Sequence, residues 1–285
     1  MSRPDIGPWV NPETVEERPW ETQSGIVKFF EFAVPKEGMS PRAFHIYWQK
    51  HHSPNAMNVT VFAQFMRKYN SSHRYPGTIE GIPARYKQGG PLEGAAEVWL
   101  NSVHQIGEWL GMPEYANLIQ PDEPRFLSEN GEIEFIIAKE ERLYETDPDM
   151  HENLLTKVYL LMRRDQKLER YAFHALASAH GRDLLKCASL VRHLRKFVVS
   201  HKLLDPLPME GFEASDIDAV FELWFDDIAA AQRFFAEPDY DALIVPREAG
   251  IFDEQASRAI VAKMRVVHDE FSFQPSTTQP MPFSW

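Results

Sequence analysis

The chain has 285 residues, 44% of them apolar, and a formal charge of −12. That length suits one large or two ordinary domains with proper cores, and a net acidic surface is a poor match for nucleic-acid phosphates. The single cysteine, Cys187, excludes an internal disulfide and a cysteine-based metal cluster.

Residues 1–24 carry Pro4, Pro8, Pro12 and Pro19 with Trp9 and Trp20. Proline at this density resists helix and sheet, so an extended arm is expected, its tryptophans packed on the body or on a second subunit. The first residues lack the apolar stretch of a secretory signal, and no run approaches the ~20 apolar residues of a membrane span. A soluble cytoplasmic protein with no membrane partner is the expectation.

Residues 26–34 read as a strand apolar on both faces: Phe30, Phe32 and Val34 point one way, Val27, Phe29 and Ala33 the other. Such a strand is buried on both sides. Ser40 and Pro41 start a helix, serine as N-cap and proline at the first helical position. Phe44, Tyr47, Trp48 and His51 lie at i, i+3, i+4 and i+7 and share one face. Strands over 64–73 and 95–101, a helix over 103–110 and a strand over 133–138 complete a β-α-β-β-α-β unit. The connection 71–94 is rich in glycine and proline, and loops of that length tend to be lids or binding loops. After Asp147-Pro148-Asp149 the equivalents fall at about 156–163, 169–180, 192–201, 219–225, 226–236 and 260–268. The C-terminal tail is rich in proline, serine and threonine and ends on Trp285.

The second half repeats the first. Lys28-Phe29, Phe44-His45 and His51 recur as Lys157-Val158, Phe173-His174 and His180, at an offset of 129 with no gap. Arg67, Lys68, Tyr69 and His73 recur as Arg195, Lys196, Phe197 and His201, and Trp99 with Tyr115 recurs as Trp224 with Tyr240. A duplicated unit fixes the architecture. The expected fold class is α+β: two tandem ferredoxin-like (β-α-β-β-α-β) units, residues 25–147 and 148–270, between an arm at 1–24 and a tail at 271–285. Their apolar sheet faces can meet and close a barrel within one chain.

The candidate chemistry lies in the first unit. The end of its helix brings His51 and His52 toward the side of the second strand that holds Arg67, Tyr69, Ser71 and His73. His52 or His51 can meet His73 and Tyr69 across a pocket lined by Phe44, Tyr47, Trp48 and Trp99. Two imidazoles and a phenol supply an acid, a base and a hydrogen-bond donor near neutral pH. Arg67 can hold a carboxylate through two hydrogen bonds. A helix C-terminus favours protonated histidine and an apolar pocket the neutral form, so the working state stays open. His45 and His174 fall off the apolar face and are expected in solvent or under loops. The second unit keeps His201 and Arg195 but has Phe197 for Tyr69; by the gapless alignment it has His180 for His51, Leu176 for Tyr47, Ala177 for Trp48 and Gly181 for His52. It reads as a scaffold, with a second site on His180, His201 and Arg195 as the alternative. The sequence holds no Gly-x-Ser-x-Gly, no His-Glu-x-x-His and no phosphate or dinucleotide loop. No metal and no cofactor are expected.

The stretch from Gly38 to Pro54, with Ser40, Phe44, Trp48, His52 and Pro54, resembles the Ser-x-x-x-Phe … Trp-x-x-x-His-x-Pro pattern of the EthD family; the match falls on His52, not His51. Arg67, Tyr69 and His73 are similar to the family's second strand, and Glu97-Val98-Trp99 and Pro121-Asp122-Glu123 with Phe126 resemble its later strand and acidic loop. The resemblance covers most of 26–140 and is weaker over 150–268, where Gly181 stands at the histidine position. It implies a dimeric α+β barrel, here as a single-chain pseudo-dimer, and cofactor-free chemistry on small, often aromatic or lactone-type molecules. The leading expectation is a cofactor-independent lyase or isomerase (dehydration, decarboxylation or lactone isomerisation) acting on a small hydrophobic, aromatic substrate by histidine acid–base catalysis. If Arg67 anchors it, the substrate carries a carboxylate. A cofactor-free oxygenase and a non-catalytic binding or accessory protein are the alternatives. The aromatic ends suggest a further homodimer.

Overall fold

The computed structural model describes residues 25–88, 90–129, 133–203, 215–253 and 255–271, with the backbone of Trp9–Val10. Most of the N-terminal arm and the tail beyond Phe271 lie outside these residues. Trp9–Val10 pairs antiparallel with Tyr144 and Glu145.

Eight strands form the barrel: β1 (Val27–Ala33), β2 (Lys68–Arg74), β3 (Gly94–Leu100), β4 (Glu134–Glu145), β5 (Thr156–Met162), β6 (Lys196–Lys202), β7 (Ala219–Phe225) and β8 (Arg258–Asp269). Their order is β4-β1-β3-β2-β8-β5-β7-β6, and β6 pairs back onto β4, so the antiparallel sheet closes. Both halves follow the expected element order. β4 and β8 are longer than the sequence suggested, 12 residues each. Each pairs with one barrel strand of either half: β4 with β1 and β6, β8 with β5 and β2. These two strands fasten the halves together.

The two faces of β1 divide as the alternation predicts. Phe30, Phe32 and Val34 join Tyr159, Leu161, Val220 and Ile260 in a cluster drawn from both halves, the barrel interior. Val27 and Phe29 pack outward with Phe62, Val98 and Trp109, under the helices. At the barrel centre Lys28 and Lys157 meet Glu97 and Glu222, with Nζ–Oε distances of 2.5 to 2.7 Å, all four fully buried. Each ammonium touches a carboxylate from each half, so the four charges are shared across the two halves. Removing one member would leave a buried charge uncompensated, which is strongly destabilising.

Helix α1 (Pro41–Tyr47) begins as expected, the Ser40 hydroxyl accepting from the Ala43 amide at 3.2 Å. It then widens into one π-helical turn, Trp48–His52, before α2 (Ser53–Asn58). Pro54 lacks the amide that would bond the Lys50 carbonyl, and its ring crowds that carbonyl, so a wider turn relieves the clash. The corresponding α3 (Arg170–Leu185) runs through without interruption. The wider turn accommodates one extra residue. The repeat offset drops accordingly, from 129 at His45 to 128 at His73.

The 71–94 connection is not a lid over the first half. Beyond β2, Ile82 and Tyr86 are buried in the second half's core. Tyr86 donates to Glu248 at 2.8 Å, Arg85 pairs with the same carboxylate at 2.7 Å, and Lys87–Gln88 pairs with β8.

Candidate active site in the first half

The floor of the site is the outer face of the first half's sheet. Register places Phe135, Glu31, Ala96, Ser71 and Arg265 side by side across β4, β1, β3, β2 and β8. Cross-strand neighbours share a face, so these five point toward the helices. The next row on one side holds Phe29, Val98 and Tyr69; on the other it holds Ala33, Gly94 and His73. A side chain at Gly94 would run into the Ser72 backbone and the Trp48 ring, so glycine here lets Trp48 lie close. Glu31, Ala96 and Phe135 remain partly exposed although they sit mid-sheet, so an opening reaches the floor.

The roof is α1, the wide turn and the segment Tyr115–Arg125. His52 Nδ1 lies 3.0 Å from Asp122 Oδ2, and the Tyr47 hydroxyl donates to Asp122 Oδ1 at 2.5 Å. The His52 ring rests on Phe126, centroids 4.7 Å apart. Asp122 accepting from Nδ1–H would leave the Nε2 lone pair for a substrate. Burial holds the His52 pKa below its ordinary value, opposed by Asp122. His52 is therefore neutral, and a base, at neutral pH. An open cleft of ≈ 570 Å³, lined by Tyr47, His51, Asn55, Leu118, Asp122 and Arg125 among others, reaches Asp122 of this dyad from outside, with His52 behind its wall.

Three acidic groups in the site were given no role by sequence reasoning. Glu31 has no hydrogen-bond partner among the described residues; burial, helped by the Glu123 charge, pushes its carboxyl up to about 8. Glu123 accepts from the Tyr115 hydroxyl at 2.9 Å and is itself pushed up to about 7, mainly by burial. Asp122 sits in the acidic loop that the resemblance picked out. The sign of Glu31 was visible: it is the one acid in the apolar strand Val27–Ala33.

The other candidates divide. His73 is close-packed on Trp48, but its Nδ1 faces His45 Nδ1 at 3.0 Å, not His52. Burial, reinforced by His45 and Arg265, depresses it to about 3, so it stays neutral and is no proton donor at neutral pH. Tyr69 exchanges a hydrogen bond with Ser53 at 3.0 Å and accepts one from Trp48 Nε1 at 3.2 Å. Phe44 and Trp48 are buried beneath the roof with Phe126, and His51 packs at a tilt against Tyr47 in the wall of the cleft. Two expectations are corrected. Trp99 points into the barrel, donating to Glu140 at 2.9 Å and covering Lys28; parity puts it on the face opposite Val98. Arg67 is spent at the strand end on Glu270 at 2.9 Å, so it is no carboxylate anchor.

His45 and His174 are corrected as well. Neither faces solvent: His174 Nδ1 meets His201 Nδ1 at 3.2 Å, repeating the His45–His73 pair. Because of the wide turn, the residue matching His52 is His180, not Gly181. His180 rests on Phe252 at 5.3 Å and its Nε2 lies 3.6 Å from Glu248, as His52 rests on Phe126 beside Asp122. Gly181 instead matches Ser53, and a side chain there would strike Leu143 and Phe197. The second half thus keeps a histidine at the position of His52 but buries it. His201 is bound to Glu141 at 3.0 Å and to Ser178 at 3.1 Å, and Arg195 pairs with Asp226 at the edge. His180, His201 and Arg195 do not converge.

A closed eight-strand antiparallel barrel with helices outside defines an α+β barrel protein. The EthD domain profile matches residues 36–130 and 165–255, so the chain belongs to the EthD family, in two tandem segments. Among solved structures, an anthrone oxidase-like protein superposes with a TM-score of 0.55 at 11% identity, covering 90% of this chain and 99% of that one. A Fusobacterium nucleatum subsp. nucleatum protein provisionally named a monooxygenase gives 0.51 at 7% identity, covering 87% and 94%. At these identities the likeness speaks for the fold. Comparison with curated protein sequences returns no match. No helix among the described residues is long and apolar enough to cross a membrane.

Proposed function

We propose that the first half is a proton-transfer site for a small hydrophobic, ring-bearing carbonyl compound, and that the chain is a lyase or isomerase working through the protein's own acids and bases. The observation that carries this reading is His52, held by Asp122 with Nε2 turned from its partner, beside a floor that carries a protonated Glu31. His52 takes a proton from the carbon next to the carbonyl. The C–H electron pair becomes a C=C bond, the carbonyl π pair moves to oxygen, and that oxygen takes the Glu31 proton. The enol so formed can eliminate a β-substituent or be reprotonated elsewhere. One general acid or base contributes about 10²–10⁴ in rate. The test is exchange of the α-protons of 1-tetralone in D₂O, followed by NMR. The wild type should accelerate exchange and His52→Ala should lose it with the fold intact; equal exchange in both would remove His52 from the mechanism.

A cofactor-free oxygenase is the second reading, favoured by the fold shared with an anthrone oxidase-like protein. The same deprotonation yields an electron-rich carbon that oxygen can oxidise, and oxygen uptake during turnover would select it. The organisation as two ferredoxin-like units, 25–147 and 148–270, and a homodimer through the aromatic ends belong to the same proposal. Light scattering of the full chain checks the latter.

A further inference from the structure

Arg265 stands at the end of the floor row, opposite Ser71, and it belongs to β8, the last strand of the second half. Its Nη1 donates to the Gln49 carbonyl of the roof at 3.1 Å. Among the described residues no carboxylate pairs with it. It lies near enough to Tyr69 and His73 for its charge to act on both. A half-buried guanidinium with one neutral carbonyl for a partner is costly, and its planar fork suits an anionic oxygen with two lone pairs.

The second half offers an internal control. Ser71 corresponds to Val199 at the offset of 128, and the residue paired with Val199 is Glu141. At the position of Arg265 there is thus an acid, and it is fully engaged: Glu141 accepts from Ser178, His201 and Arg182. Where the duplicated position is structural its charge is satisfied. In the first half the charge is reversed and left over.

We propose that Arg265, supplied by the second half, is the anion anchor of the first half's site, and that the substrate carries an acidic oxygen (a carboxylate or a phenolate) on the ring system that His52 works on. The row from Glu31 to Arg265 spans three strand spacings, roughly 14 Å between backbones. Ala96 and Ser71, both small, lie between; Ala96 is partly exposed and Ser71 is buried beneath the roof. This takes over the role that sequence reasoning gave to Arg67, and it rests on the proton-transfer reading only for which end of the substrate reacts.

The test is binding of three probes by calorimetry at low salt: 1-naphthoate, 4-nitrophenolate and 1-tetralone. In the wild type the anions should bind, and Arg265→Gln, which keeps a donor for the Gln49 carbonyl, should weaken them by about 10-fold or more. Tetralone should stay within about threefold, and Arg265→Lys should fall between, since it keeps charge but not the fork. Stronger loss for naphthoate assigns a carboxylate, stronger loss for nitrophenolate a phenolate. Unchanged anion binding in Arg265→Gln, equal loss for tetralone, or no anion binding by the wild type overturns the anchor. Should Arg265→Gln not fold, the Arg265→Lys series and the salt dependence of naphthoate binding decide, and a salt-independent affinity counts against it. His52→Ala separates the two readings. If it abolishes exchange while Arg265→Gln leaves anion binding intact, the anchor falls and the base stands. If it leaves exchange intact while Arg265→Gln loses the anions, the reverse holds.

Discussion

Two rows of side chains occupy the same place in the two halves. In the first half Glu31, Ala96, Ser71 and Arg265 lie across the sheet; in the second Leu160, Phe221, Val199 and Glu141 do. The first is small and polar with two unspent ionisable groups. The second is large and apolar with its one acid fully bonded. The second half also has Tyr86 and Arg85 from the long connection satisfying Glu248 beneath His180. With the first half as the proposed site, the same backbone serves in one copy as a site and in the other as a core. What separates them is whether the floor is filled, not whether a histidine is present.

The largest expected effect comes from the paired histidines. His52→Ala should lower tetralone exchange by about 100-fold, whereas His180→Ala should change exchange less than about twofold and instead lower the melting temperature. Comparable losses of exchange in both would erase the asymmetry. Next, Glu31→Leu copies the second half's residue. Folded Glu31 keeps its proton to about 8, while an unfolded glutamate loses it near about 4.3. The folded state therefore binds the extra proton across that window, and stability falls as pH rises through it. Leucine removes that cost, so the variant should lose exchange yet gain on the order of 1–2 kcal/mol at pH 7 in urea unfolding; a destabilised variant would mean Glu31 is structural. The pH profile of the first site should be bell-shaped. The rate should rise with pH through the depressed His52 value and fall as Glu31 ionises at about 8, and loss of the alkaline limb in Glu31→Gln is the check. Smallest, Tyr86→Phe should leave exchange untouched and cost about 1–2 kcal/mol by removing one donor from Glu248, measured by the same unfolding curve.

Much of the fold was legible because duplication and strand alternation are written in residue type. The full length of β4 and β8 was not, since their outer halves pair across the repeat. The site was legible to the level of a helix end and a strand, no finer. His51 and His52 could not be ordered against His180 because a widened turn leaves the helical pattern intact; only Pro54 and the change of offset recorded the extra residue. Trp99 was assigned to the pocket because a strand buried on both faces does not say which face is the interior. Arg67 and Arg265 look alike in sequence; what distinguishes them is Glu270, two residues beyond His268 in the chain and directly against Arg67.

The closed barrel has a consequence for how such a protein can change. In a barrel made from two identical chains every substitution is made twice, so a polar floor opened for a ligand in one copy opens in both and doubles the loss of core. Here the halves are separately encoded along one chain. A substitution such as phenylalanine for alanine, at Phe221 against Ala96, falls on one half alone. The second copy is free to become more stable while the first becomes less so, and the chain as a whole can tolerate a reactive floor that a symmetric pair would have to carry on both sides.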